Sequence, residues 1–283
     1  MNRLSADRRA AVVRALVEGN SIRATARATG AVKNTVAKLL EEVGAACLAY
    51  QQAHTVSLPC KRIQCDEIWS FAGIKEKQLG PPLRGKVEPG DAWTWAAVCA
   101  DSKLVAAFQV GNHTRHDAQS FINDLAGRLA SRVQLTTDGY RAYLTAVENA
   151  FGWNGVDYAI LEKIYPSVPD PAKRYRPDVS IGAIDKPIMS KPDDFHVSLT
   201  YIERQNFSMR MQTRRFTQLT NAFFKKMENH RHAVAVHFMH YNYCRPHMML
   251  TRERKGMRTT PAMAAGLADH VWNIEEIISL LPN

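Results

Sequence analysis

The sequence predicts an α/β protein in which a mixed sheet flanked by helices is preceded by an all-α segment. Three observations predict it. Up to Cys60 the apolar residues follow a helical period between good caps. From Lys61 the texture turns β-branched and aromatic and is broken by turn signals. Past Arg115, helix and strand patterns alternate, as in layered α/β folds.

In the N-terminal part, Ser5 can cap a helix to about Glu18 with Val12, Ala15 and Leu16 on one face, and Gly19-Asn20 stops it. Ser21 caps a short helix from Ile22 to Ala28, Thr29-Gly30 makes a tight turn, and a third helix from about Val32 turns Val36, Leu39 and Leu40 inward. Ile22, Ala26, Gly30, Val32 and Val36 supply the apolar and small-residue frame of a helix-turn-helix, because two steeply crossing short helices need small residues at their contact. Its outward positions are Lys33, Asn34, Thr35 and Lys38, side chains that reach base edges and phosphates of DNA. A plain helical trimer used for packing or dimerisation fits the same pattern. The domains expected are residues 1–60, a helix-turn-helix DNA-binding domain, and residues 61–283, a catalytic domain.

Within the second part, Ile63 to Ile74, Ala92 to Ala100 and Lys103 to Val110 read as an antiparallel meander. A helix from Arg115 to Ala130 capped by Thr114, a strand from Arg132 to Thr137, a helix from Tyr140 to Ala150 and a strand from Val156 to Ile164 follow. The Pro-rich stretch 166–192 reads as a loop or insertion. Helical periodicity returns from Ser198 to Phe216 and from Thr220 to Tyr243.

The chain's 283 residues carry 37 Lys plus Arg against 27 Asp plus Glu, a formal net charge of +10. The excess sits at the ends: net +4 over residues 1–60, −1 over 61–203 and +7 over 204–283. Basic ends around a near-neutral middle suit a chain whose ends meet a polyanion, although a basic C-terminal helix face can also be merely solvated. No apolar run approaches the roughly 18 residues of a membrane span, and no signal peptide is readable, so a cytoplasmic protein without a membrane partner is expected. The five cysteines form no C-x-x-C pair, which argues against a disulfide framework and a zinc ribbon and for reduced thiols. The histidines His230, His232, His237, His240 and His247 sit in no known metal-ligand frame and read as helix-surface or DNA-facing side chains.

Three carboxylates stand out. Asp66 lies inside the first strand among apolar neighbours, where an acid is costly to desolvate without compensation. Asp138 closes the strand Leu135-Thr136-Thr137 before Gly139, a position that an ordinary Asp-Gly turn also explains. Glu203 lies early in a helix, where Thr200-x-x-Glu203 alternatively spells a capping box. Ile202, Met209 and Phe216 form one stripe of that helix, whereas Glu203, Asn206, Phe207, Arg210 and Arg214 share another face, a combination suited to holding both metal and phosphate. Three such acids can hold two Mg²⁺ about 3.5–4 Å apart for in-line phosphodiester chemistry, and carboxylates are the donors a hard ion selects.

The segments Asp66-Glu67-Ile68-Trp69-Ser70-Phe71, Thr137-Asp138-Gly139, Tyr201-Ile202-Glu203-Arg204-Gln205-Asn206 with Arg210 and Arg214-Arg215-Phe216, and Tyr241-Asn242-Tyr243-Cys244-Arg245-Pro246-His247 occur in an order that resembles DDE-class insertion-sequence transposases, most closely the Insertion Sequence One family. The resemblance implies an RNase H-like core and a Mg²⁺ cofactor, with Mn²⁺ as a substitute, held by the catalytic residues Asp66, Asp138 and Glu203. It also implies double-stranded DNA partners, namely terminal inverted repeats and target DNA, and a homodimer or larger assembly on DNA. Phosphate contacts fall to the basic residues between Arg204 and Arg258, with Asn206, Arg210, Arg214 and Arg215 among the DNA-binding positions. Many relatives open with a cysteine-rich zinc element; this sequence has no such motif, and that role is not carried over. Two rival readings are a helix-turn-helix regulator with an inert RNase H-like domain and a nuclease that cuts without joining.

Overall fold

The computed structural model describes residues 4–71, 90–164, 182–213, 216 and 226–282. Three helices open the chain: α1 (Ala6–Val17), α2 (Ile22–Thr29) and α3 (Lys33–His54). The Ser5 and Ser21 hydroxyls accept from the Arg8 and Ala24 amides, and Gly30 ends α2 at φ 65°, the left-handed conformation that a glycine adopts without penalty. Val36, Leu39 and Leu40 point inward as expected. Val32 does not: it is 69% exposed, at the position just before α3, and Ala31 and Thr25 are buried in the contact instead.

α3 runs far beyond a short third helix. Its second half packs along α7 (Met227–Met239), and the two backbones approach so closely that a Cβ on Gly44 would lie 2.3 Å from the Cβ of His232. One apolar core therefore continues from Val13, Val36 and Val43 to the strand residues Ile63, Cys65 and Leu135.

The sheet has six strands in the order β3-β2-β1-β4-β5-β6. The meander β1 (Arg62–Phe71), β2 (Asp91–Cys99) and β3 (Val105–Gly111) is antiparallel as expected. α4 (Arg115–Arg128), capped by the Thr114 hydroxyl, leads to β4 (Gln134–Thr137), which lies parallel to β1. α5 (Ala142–Phe151) leads to β5 (Asp157–Ile164), parallel to β4. This mixed sheet flanked by helices is consistent with an RNase H-like fold.

The Pro-rich stretch is a loop only in part. Residues 182–189 form an edge strand, β6 (Gly182–Met189), antiparallel to β5, and an edge tolerates Pro187 because one side of its backbone needs no partner. Residues 165–181 lie outside the described residues.

Alternation along β1 divides the two faces. Ile63 and Cys65 pack with Phe121, Leu125, Tyr143 and Val147 of α4 and α5, whereas Ile68 packs with Ile202 and Met209 of α6 (Thr200–Gln212) and Phe238 of α7. The stripe Ile202, Met209 and Phe216 is buried as its spacing predicts. Past α7, residues His240–Cys244 widen into a π turn, followed by α8 (Met248–Glu253), α9 (Pro261–Ala264) and α10 (Ile274–Ser279). No helix among the described residues is long and apolar enough to cross a membrane.

Candidate metal centre

The parallel pairing of β1 with β4 ends at the rung Cys65–Thr137. The next residue on each strand is an aspartate, so Asp66 and Asp138 emerge side by side where β4 stops. Glu67 joins them. Ligand oxygens of Asp66, Glu67 and Asp138 all lie within 4.8 Å of one another, the one such grouping among the described residues.

Each acid is oriented. Asp66 accepts from its neighbour's backbone N–H at Glu67 (2.9 Å) and from the Asn206 amide on α6 (2.9 Å). Asp138 accepts from the Tyr140 N–H at 3.1 Å, the self-bond of an Asx turn. The Tyr143 hydroxyl lies beside the buried Glu67 carboxylate and holds the rise in its pKa back in part, but Glu67 Oε1 and the Tyr143 hydroxyl make no well-aligned hydrogen bond.

The gathered charge shows in the acidities. Burial, and then the Asp138 charge, push the Asp66 carboxyl up to about 6; the Glu67 N–H and Lys163 pull it back in part. Burial raises Asp138 against the opposing pull of the Tyr140 N–H, His113 and Lys163. Glu67 is raised well above the usual carboxylate range by burial and then by Asp138. Oxygen-only donors, one of them a buried oxygen without a well-aligned hydrogen bond, with protons held against mutual repulsion, fit a hard divalent cation.

Glu203 stands on α6 one turn before Asn206 and is ion-paired with Lys163 of β5. It acts electrostatically on Asp66 but is outside the converging trio. The capping box is not formed: Leu199 occupies the cap position of α6 and no side chain caps from there. Gln64 of β1 does that work from across the interface, its Oε1 accepting from the N–H groups of Tyr201 (2.8 Å) and Ile202 (3.2 Å). The same strand thus carries Asp66 and holds the start of the helix that carries Glu203 and Asn206.

Beside Asp138, the rings of Trp93, His113 and Tyr140 stack in series, with centroids 4.2 and 3.9 Å apart. Burial lowers the His113 pKa, and Asp138 opposes that.

The other predicted positions divide. Lys33, Asn34 and Lys38 are exposed, with Lys38 3.6 Å from Glu42, and Thr35 is half-buried. Arg210 is exposed. Asn206 is buried with its amide on Asp66, so it holds a carboxylate instead of facing outward. Arg214 and Arg215 lie outside the described residues. His230, His232 and His237 are buried rather than on the helix surface; His230 bonds Ser70 at 2.9 Å, and burial lowers His237 to about 3. The cysteines are free thiols.

Sequence reasoning passed over Glu67, Lys163 and Gln64. Glu67 had a signal, its place beside Asp66; the other two gave none.

No protein-family model matches the chain, and no curated protein does. Among solved structures, the Mos1 strand transfer complex matches with a TM-score of 0.24 and 11% identity over 83% of this chain and 78% of that one. A likeness that weak carries no argument about fold or function.

Proposed function

We propose that the chain is a DDE-class transposase, resembling the Insertion Sequence One family, that binds the terminal inverted repeats of an insertion sequence and cuts and joins DNA strands. The observation that carries the reading is the meeting of Asp66, within β1, and Asp138, just past the end of the parallel neighbour β4, with Glu203 on the helix that also bonds Asp66. Residues 1–60 are the end-binding unit, a helix-turn-helix reading with Lys33, Asn34, Thr35 and Lys38, together with Arg210, Arg214 and Arg215, at DNA. Residues 61–283 are the catalytic unit, working as a dimer or larger assembly in the cytoplasm.

Asp66 and Asp138, with Glu67 beside them and Glu203 as the third acid of the family pattern, would hold Mg²⁺ or Mn²⁺. When bound, such ions favour the ionised form of an attacking water or 3′-hydroxyl and stabilise the departing 3′-oxygen. The protein's own contribution is placement: the Glu67 N–H and Asn206 fix Asp66, the Tyr140 N–H fixes Asp138, and Lys163 neutralises Glu203 and tempers both aspartates.

The test is a labelled terminal-repeat duplex incubated with Mg²⁺, with the nicked phosphodiester mapped and strand transfer scored on pre-cleaved ends. Asp66→Asn, Asp138→Asn and Glu203→Gln each abolish cleavage and joining while repeat binding persists; an active triple variant overturns the assignment. Cleavage without transfer would make the chain a nuclease. Running Glu67→Gln alongside Glu203→Gln shows which glutamate the chemistry requires. Lys33→Ala with Asn34→Ala lowers affinity for the cognate repeat far more than for random duplex.

A further inference from the structure

On the α6 side of the sheet lies a cavity of about 210 Å³ whose lining includes Lys103, Tyr201, Arg204, Tyr241, Arg245 and His247. No carboxylate lines it. Lys103 is buried, its Nζ donating to the Ala100 carbonyl and sitting 3.7 Å from the centroid of the Tyr201 ring, and among the described residues it has no acidic partner. Its backbone is held at φ 62°, in the left-handed region that a side-chain-bearing residue rarely adopts, and the Tyr241 hydroxyl secures it by donating to the Lys103 carbonyl at 3.0 Å. Arg204 and Arg245 are exposed, and neither makes an ion pair among the described residues. His247 is lowered first by burial and then by Lys103, Arg204 and Arg245, with Glu253 opposing, so the field inside is positive.

A strained, buried ammonium and two unpaired guanidinium forks around an acid-free cavity are an anion site waiting for its charge; packing alone gives no reason to keep three cations together. Arg204 directly follows Glu203, so the cavity and the acidic cluster share α6. We propose that this cavity seats a backbone phosphate of the DNA strand engaged at the acidic cluster, held by Arg204, Arg245 and Lys103. The proposal rests on the transposase reading for the identity of the anion.

The test uses the full chain and fluorescence anisotropy of labelled single-stranded and duplex oligonucleotides across a salt series. Arg204→Gln and Arg245→Gln each weaken binding about tenfold irrespective of sequence, and the double variant flattens the slope of log affinity against log salt by about one, the change that losing a single phosphate contact produces. The Mg²⁺-induced rise in melting temperature stays at the wild-type value, since the acidic cluster is untouched. Variants that bind DNA with wild-type affinity and slope overturn the proposal while leaving the transposase reading standing. If inorganic phosphate stabilises the wild type but not the double variant while DNA affinity is unchanged, the cavity is a free-anion site, and the proposal fails. A wild type that binds no DNA at any salt removes both.

Discussion

Asp66 and Asp138 stand one residue beyond the last parallel rung of their strands, Cys65 opposite Thr137, which sets two carboxylates abreast at the point where β4 ends. The fold forces this repulsion; it is not an accident of rotamers. Burial first, and this repulsion second, raise the Asp66 carboxyl to about 6, against an ordinary value of 3.8. In the folded chain the carboxyl keeps its proton where the unfolded chain has lost it, so ionising Asp66 costs stability as pH rises from about 4 to about 6, and the cost persists above that. A rise of roughly two in pKa corresponds to about 3 kcal/mol.

That cost predicts the behaviour of Asp66→Asn. Its stability relative to wild type improves by up to about 3 kcal/mol between pH 4 and pH 7 without divalent ions. The comparison must be a difference between the two proteins, because His237, lowered to about 3, titrates with the opposite sign: it adds stability as pH rises toward 6.5 in both. Chemical denaturation of both proteins at several pH values checks this. A relative stability that does not change with pH would mean that burial and Asp138 do not raise the Asp66 carboxyl above its ordinary value.

Lys163 supplies the second prediction. Its ammonium pairs with Glu203 and lowers both aspartates, the electrostatic part that a bound cation would play. Lys163→Met therefore destabilises the ion-free chain at pH 7 by about 1 kcal/mol, after allowance for the solvent exposure of the pair. The same change makes the protein respond to lower Mg²⁺, because no ammonium competes for the carboxylates. Melting temperature against Mg²⁺ concentration reads both effects. An unchanged midpoint for Mg²⁺ would show that Lys163 and the ion do not compete.

Much of this was legible because it is local. Ser5, Ser21 and Thr114 announce their helices through one hydroxyl each, the stripe Ile202, Met209 and Phe216 follows from the helical period, and Asp138 ends a short apolar strand. What local pattern could not supply is partnership across the fold. Lys163 beside Glu162 reads as a solvated strand end until β5 is laid parallel to β4 and α6 is set above it. Gln64 reads as a polar strand residue until the first turn of α6 arrives without a cap of its own. Val32 misled for a related reason: a β-branched residue opening a helix looks like core, yet just outside the first turn it projects away while Ala31 fills the contact. Asn206 shared a helical face with Arg210, and tertiary packing turned that face partly inward to Asp66.

Gln64 yields a third prediction. Two otherwise unpaired amides of α6, those of Tyr201 and Ile202, share its single buried oxygen. Gln64→Leu keeps apolar bulk but removes the acceptor, costing about 2 kcal/mol as the two donors lose their partner. Hydrogen exchange at the first turn of α6 should speed up while the later turns, anchored by Met209, hold. Uniform exchange along α6 would contradict a capping role.

The last prediction concerns the seam between the N-terminal helices and the rest. α3 and α7 meet at Gly44, where an added methyl carbon would lie 2.3 Å from the Cβ of His232, 2.7 Å from its Cα and 2.8 Å from its carbonyl oxygen. Two of those atoms are backbone, so relief requires the helices to separate. Gly44→Ala should thus cost about 2–3 kcal/mol, although alanine is the better helix former by about 1 kcal/mol in an exposed site. Val32→Ser, at an exposed position of the same helical region, should stay within about 0.5 kcal/mol of wild type. Denaturant melts of the two variants separate the cases. A Gly44→Ala protein as stable as wild type would mean that α3 and α7 are not in close contact in solution, and that the N-terminal helices stand apart from the body that carries Asp66.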